Sequence, residues 1–220
     1  MWQKFRNRTE AGKLLAARLT EYTHCPDILV LGLPRGGVPV AYEVAKGLNA
    51  PLDICLVRKL GVPGHQELAM GAIATGGVRV INDNVVDSLQ ISQATIDEVV
   101  AIEMRELDRR RHAYRSNLPD PIVKNHTIIL VDDGIATVAT IRAAIATLKK
   151  QQLRKLVVAV PVAAVSTCEE LKAEVDQVIS IITPTNLYAI GIWYEDFRQT
   201  TDAEVCELLT TQKLLIAQDS

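Results

Sequence analysis

No stretch of this chain approaches the roughly 20 consecutive apolar residues that a membrane-spanning helix needs. Its opening residues, MWQKFRNRTEAG, lack the apolar centre of a secretory leader. A cytoplasmic protein with no membrane partner is the expectation. Cysteine is sparse: Cys25, Cys55, Cys168 and Cys206 form no CxxC pair, and no His stands at metal-ligand spacing from them. They read as buried, reduced thiols rather than a disulfide framework or a zinc site. The net charge of −2 leaves no global basic field, which argues against a nucleic-acid partner. Neither GxGxxG nor a GxxxxGKS or GxxxxGKT loop occurs, so dinucleotide and P-loop readings fall. There is no internal repeat and no low-complexity linker. Aromatics are scarce, with two Trp, two Phe and five Tyr.

What is present is aliphatic. Val, Ile, Leu and Ala dominate a hydrophobic fraction of 48% over 220 residues, which suits one α/β domain with buried parallel strands between helices. Residues 9–22 read as an amphipathic helix with Thr9 as its N-cap. ILVL at 28–31 reads as a buried strand, ended by the Gly-containing turn at 32–37. A helix over 38–48 and a strand over 52–57 follow. Residues 58–77, RKLGVPGHQELAMGAIATGG, read as an irregular functional loop. A short strand at 78–81 precedes a long helix at 92–114. That helix is acidic early (Asp97, Glu98, Glu103) and basic late (Arg109, Arg110, Arg111), which suits its macrodipole. The arginines read as an anion site or as a solvated helix end. Then come a strand at 127–131, a helix at 139–148, and a strand at 155–160 ended by Pro161. A helix at 166–175 opens on a capping box of Ser166 and Glu169, and a strand at 178–182 follows it. Trp193, Tyr194 and Phe197 and a helix at 202–209 close the chain. Strands alternate with helices, so the expected class is α/β with a mostly parallel sheet flanked by helices and right-handed crossovers.

The chemistry concentrates at 128–140, IILVDDGIATVAT. An apolar strand ends in two adjacent carboxylates, Asp132 and Asp133, and a loop of small residues leads into a helix. Open α/β sheets bind ligands beyond the carboxyl ends of their strands. A helix N-terminus offers unpaired N–H groups to an anion, and Thr137 and Thr140 add hydroxyl donors. Two carboxylates can accept hydrogen bonds from neighbouring hydroxyls of a polyol. Acids beside an anion nest imply a ligand with both hydroxyls and phosphate, which a ribose 5-phosphate moiety satisfies. The bland alternative is an Asx turn before a Thr-capped helix. A receiver-domain acidic pocket is disfavoured, because such a pair stands near the start of its domain and this one lies past the midpoint.

This segment resembles the phosphoribosyl-diphosphate loop of type I phosphoribosyltransferases, whose pattern is acid-acid-x-x-x-Thr-Gly-x-Thr. The resemblance implies that Asp132 and Asp133 hold the ribose 2′- and 3′-hydroxyls. It implies that Gly134, Ile135, Ala136, Thr137, Val138, Ala139 and Thr140 cradle the 5′-phosphate. Val138 stands where the family has Gly. Either the loop keeps φ negative there, or it is strained, or the phosphate site is altered. A second motif, LPRGG at 33–37, is similar to the family's pyrophosphate loop, with Arg35, Gly36 and Gly37 facing the diphosphate. Arg58 and Lys59 would neutralise diphosphate charge, or else form a solvated strand end. The blocks FRNRTEAGKLLAARL, VRKLGVPGHQELAMGAI and IGIWYEDFRQTTDAEV resemble one uncharacterised branch of the family, so the likeness covers nearly the whole chain.

The resemblance implies a single domain over 1–220 with hood elements at about 58–77 and 183–200. His65 and Glu67 in the first of these could serve proton transfer or simply be exposed loop polarity. The implied reaction moves the phosphoribosyl group from phosphoribosyl diphosphate to a nitrogenous base or related amine. Mg²⁺ would bridge the diphosphate and ribose, with Asp132 and Asp133 as its candidate protein ligands. The catalytic set is then Asp132, Asp133, Arg58 and Lys59. Ala136 stands where some 6-oxopurine enzymes carry an acid. Trp193, Tyr194 or Phe197 could stack on a base, though such a trio also reads as a core plug. The alternatives are a non-catalytic nucleotide- or phosphate-binding regulator, which Val138 favours, and a phosphoribosyl hydrolase. Family members often dimerise, and no feature of the chain decides that.

Overall fold

The computed structural model describes residues 4–115 and 121–218. In chain order the elements are α1 (Arg8–Ala16), β1 (Ile28–Gly32), α2 (Gly37–Leu48), β2 (Leu52–Ile54), β3 (Val57–Val62), β4 (His65–Ala74) and β5 (Arg79–Ile81). They continue with α3 (Asp83–Ser88), α4 (Gln93–Arg115), β6 (Thr127–Val131), α5 (Val138–Lys149), β7 (Lys155–Val162), α6 (Val165–Lys172), β8 (Gln177–Ile182) and α7 (Asp202–Gln218). The chain divides into two compact units. One holds Met1–Cys55, Pro121–Ala136 and Gln152–Ser220; the other holds Leu56–Asp120 and Thr137–Gln151.

The first unit is built on a five-stranded sheet in the order β2-β1-β6-β7-β8, parallel throughout. Its central strands are ILVLG, TIILV and KLVVAVPV, and nearly every residue in them is buried. Strands covered on both faces need continuous aliphatic runs rather than alternation, which is why the sequence identifies them. β1 passes to β2 on one side, whereas β6 passes to β7 on the other. The order therefore reverses between β1 and β6, and the carboxyl ends of those two strands flank the crevice where such sheets bind ligands. Pro161 does not end β7. The ladder to β6 stops at Ala159, so a missing N–H beyond it costs nothing there, while pairing to β8 continues through Val162.

The second unit differs from the sequence reading. Residues 58–77 are not an irregular loop. β3 and β4 form an antiparallel hairpin closed at Pro63-Gly64, with Gly64 at φ +80°, and β5 adds a third strand. Pro before a positive-φ Gly is the signature of a type II turn. Gly71 lets β5 approach, since a Cβ there would overlap the Val80 carbonyl oxygen. The expected strand at 52–57 accordingly stops at Ile54, and the next strand joins the other sheet.

Helix ends differ as well. Asn7 rather than Thr9 caps α1, its side chain accepting from the Glu10 N–H at 3.0 Å, and the helix stops at Ala16 before a 3-10 turn at Thr20–Tyr22. No Ser166 capping box forms. α6 starts at Val165, whose N–H donates to the Pro184 carbonyl at 3.1 Å, so a tertiary bond sets the start in place of a local cap. All four cysteines are free thiols, and burial pushes Cys55 up to about 12. Among the described residues no helix is long and apolar enough to cross a membrane.

Candidate functional site

Leu33 continues from β1 and its N–H donates to the Val131 carbonyl at 2.9 Å, which ties the loop after β1 to the end of β6. The Gly37 N–H then donates to the Leu33 carbonyl at 3.0 Å, closing a tight turn over 33–37. The turn lies against the acids. A Cβ on Gly36 would collide with Asp133 Oδ2, and one on Gly37 would fall 2.7 Å from the Val131 carbonyl oxygen and 2.8 Å from Asp132 Cα. Only glycine allows this approach. Gly36, Gly37, Asp132 and Asp133, singled out separately along the chain, thus meet at the mouth of the β1–β6 crevice. The Arg35 side chain instead turns toward Asp202, with Nη1 3.7 Å from Oδ1.

Two adjacent carboxylates in this position raise each other's cost. Burial, and then the charge of Asp133, push the Asp132 carboxyl well above the ordinary carboxylate range. Burial also raises Asp133, with Arg8 opposing it. Sequence reading misses Arg8. Its Nη2 lies 2.8 Å and its Nε 2.9 Å from Asp133 Oδ2. Sequence reading places Tyr194 only within an aromatic trio. Its hydroxyl donates to the Asp133 carbonyl at 2.7 Å, and burial followed by the Asp133 charge holds that phenol protonated, far above its usual value. The signal lies in the two outer sequence blocks, FRNRTEAG and IGIWYEDFRQTT, which the fold joins. The Phe5 N–H donates to the Trp193 carbonyl at 3.0 Å, and the Glu195 N–H donates to the Phe5 carbonyl at 2.8 Å. Phe5, Tyr194 and their neighbours form one apolar cluster with Val162 and Ile182, so the aromatic trio packs as a core plug.

The chain matches the model of the phosphoribosyl transferase domain over residues 6–195. It is also 43% identical over 205 residues to proteins of Mycobacterium tuberculosis strains CDC 1551 / Oshkosh and H37Rv that are named as proposed phosphoribosyl transferases. This chain belongs to the phosphoribosyl transferase domain family. The match covers 93% of this chain and 46% of those relatives, so the chain spans about half their length. A crystal structure of TT1426 from Thermus thermophilus aligns with a TM-score of 0.87 at 38% identity, covering 96% of this chain and 99% of that one. The architecture is the type I phosphoribosyltransferase fold.

In this phosphoribosyl transferase domain the loop from Gly134 to Thr140 runs out of the first unit and into the second. A Cβ on Gly134 would meet Ile190 and Val162 side-chain carbons at 2.8 and 2.9 Å. The Ile135 N–H is spent on the Val162 carbonyl at 2.9 Å, so it is not one of the amides open to phosphate. Ala136 and Thr137 are exposed. Thr137 stands at the N-cap of α5 without a side-chain cap bond, and Val138 and Ala139 begin the helix, followed by Thr140. Val138 has no positive φ, which excludes backbone strain at that position.

Arg58 and Lys59 are neighbours on β3 and so point to opposite faces. Arg58 Nε is 2.6 Å from Glu103 of α4. Arg109 and Arg110 bond Glu106 within α4 and pull that carboxyl down to about 2, which fits a paired helix surface. His65 opens β4; Glu67 lies in the same strand, its side chain outside the described residues.

Proposed function

We propose that this domain transfers the 5-phosphoribosyl group from phosphoribosyl diphosphate to a nitrogenous base or related amine in the cytoplasm, releasing diphosphate. The observation that carries the reading is the contact between the Gly36-Gly37 turn and the Asp132-Asp133 pair at the sheet's switch point. In this reading Asp132 and Asp133 accept from ribose hydroxyls, and the 33–37 turn faces the diphosphate, with Arg35 joining it on leaving its 3.7 Å contact with Asp202. The uncapped start of α5, with Thr137 and Thr140, takes the 5′-phosphate. Of Arg58 and Lys59, which face opposite sides of β3, one supplies positive charge to the leaving diphosphate, and hood elements at about 58–77 and 183–200 recognise the acceptor. The chain's contribution is positioning and charge placement, the effects that dominate phosphoribosyl transfer.

Magnesium fits this donor set as an ion held largely by substrate. Among the described residues no cluster of three or more His, Cys, Asp or Glu side chains is arranged to hold a metal. Mg²⁺ commonly rests on one or two carboxylates plus substrate phosphates, and Asp132 and Asp133 offer such oxygens. When bound, it neutralises charge developing on the diphosphate.

The test is diphosphate release from phosphoribosyl diphosphate and Mg²⁺ across a panel of bases. The proposal expects release that depends on one of the bases and is lost in Asp133→Asn. Release without any base would indicate hydrolysis. A second reading, binding without transfer, draws support from the commitment of Arg58 to Glu103. It expects ligand binding with no release under any condition.

A further inference from the structure

We propose that Arg8 is the positioning residue for Asp133, holding Oδ2 so that the carboxylate meets one particular ribose hydroxyl through its other oxygen. The inference rests on the ribose reading of the acid pair. Arg8 and Asp133 lie 125 positions apart, and their side chains are only 12% and 11% exposed. Arg8 Nε donates to Asp133 Oδ2 at 2.9 Å, and Nη2 lies 2.8 Å from the same oxygen as the closest contact of the ion pair. The third guanidinium nitrogen, Nη1, donates to the Arg198 carbonyl at 2.7 Å. The face of the guanidinium lies over the Phe197 ring, 4.0 Å from its centroid. Each of the three nitrogens therefore has a partner, and a planar group held this way transmits its orientation to what it binds.

The other side of Asp133 is fixed as well. The Tyr194 hydroxyl holds its backbone carbonyl at 2.7 Å. The hypothetical Gly36 Cβ that would strike Oδ2 would also lie 3.2 Å from Arg8 Nη2, so the ion pair itself forms the floor under the 33–37 turn. Asp132 has no comparable clamp among the described residues. It accepts the Asp133 N–H through Oδ1 at 2.8 Å. The two acids are thus unequal. Asp133 is locked by Arg8, Tyr194 and Phe197, groups drawn from both ends of the chain, and Asp132 is held by its neighbour. A residue acting through Asp133 alone should govern one hydroxyl and leave the other untouched.

The measurement is calorimetric affinity for ribose 5-phosphate, 2-deoxyribose 5-phosphate and 3-deoxyribose 5-phosphate, in wild type, Asp133→Asn, Arg8→Gln, Arg8→Lys and Phe197→Leu. Loss of a hydrogen bond to a charged group should cost about tenfold or more in affinity. Asp133→Asn identifies its hydroxyl as the one whose deletion no longer matters. Arg8→Gln is expected to erase the preference for that same hydroxyl while keeping the preference for the other. Arg8→Lys, which retains the charge without the fork, should give an intermediate ratio. If Arg8→Gln does not fold, Phe197→Leu removes the ring beneath the guanidinium while leaving Arg8 and Asp133 in place, and should lower the same ratio. A wild-type preference that Arg8→Gln or Phe197→Leu leaves intact, or an equal loss for both hydroxyls, overturns the role of Arg8 alone. No preference for either hydroxyl in wild type overturns the ribose reading, and this inference with it.

Discussion

Asp132 carries a cost of burial beside a second carboxylate, which the proposed ribose-binding role would explain. Both acids bind a proton more tightly in the folded chain than in the unfolded one. Their contribution to stability is full below the ordinary carboxylate range and is lost as pH rises through the raised folded-state values. Asp132→Asn mimics the protonated form at every pH. It should therefore raise the melting temperature near neutrality, at about 2–4 °C per kcal/mol for a chain of this size, while weakening ribose 5-phosphate binding. The gap to wild type should shrink as pH falls through the raised value toward the ordinary carboxylate range, and a gap independent of pH would contradict the assignment. Gly36 gives a second residue-scale prediction. Gly36→Ala drives a Cβ into Asp133 Oδ2 and must displace the carboxylate. Ribose 5-phosphate affinity should then fall by about tenfold or more, with a stability loss of about 1–3 kcal/mol in urea unfolding. The acids and the glycines are legible in the sequence because strand, turn and helix signals coincide around them. Arg8 is not, since nothing local to FRNRT indicates that its second arginine meets a carboxylate 125 positions away.

The elements that sequence reading recovers are those whose hydrophobic pattern is unbroken. TIILV and ILVLG run apolar almost from end to end and are buried on both faces. The hairpin of β3 and β4 is hidden because Gly61, Gly64 and Gly71 interrupt the period of two and its register shifts around Gly61. α3, DNVVDS, escapes because it is short and mostly polar. Two predictions belong to this scale. Gly71→Ala forces β5 away at the Val80 carbonyl and should cost about 1–3 kcal/mol by urea unfolding; an unchanged midpoint would mean that the three-stranded sheet is not packed as described. Val138 begins α5 with an ordinary helical backbone, so Val138→Gly should leave ribose 5-phosphate affinity within about twofold by calorimetry. A tenfold gain would show that the valine side chain obstructs the phosphate and would shift weight to the binding-only reading.

For the whole molecule, a parallel five-stranded sheet, a match to the phosphoribosyl transferase domain over 6–195 and the TT1426 likeness at a TM-score of 0.87 agree on one architecture. The sequence reaches that class because alternating strand and helix signals survive along most of the chain. It does not reach the division into two units, which depends on residues 137–151 grouping with 56–120, a pairing with no local trace. We propose that this fold retains a working donor site. It is tested most directly by thermal unfolding with Mg²⁺ and phosphoribosyl diphosphate, with ribose 5-phosphate and diphosphate as controls and Asp133→Asn alongside. A ligand at about 100 times its Kd stabilises the folded state by roughly 2.7 kcal/mol, a rise of about 5–10 °C here. That rise is expected in wild type, with a smaller one in Asp133→Asn. No rise with any of the three ligands in wild type would contradict it.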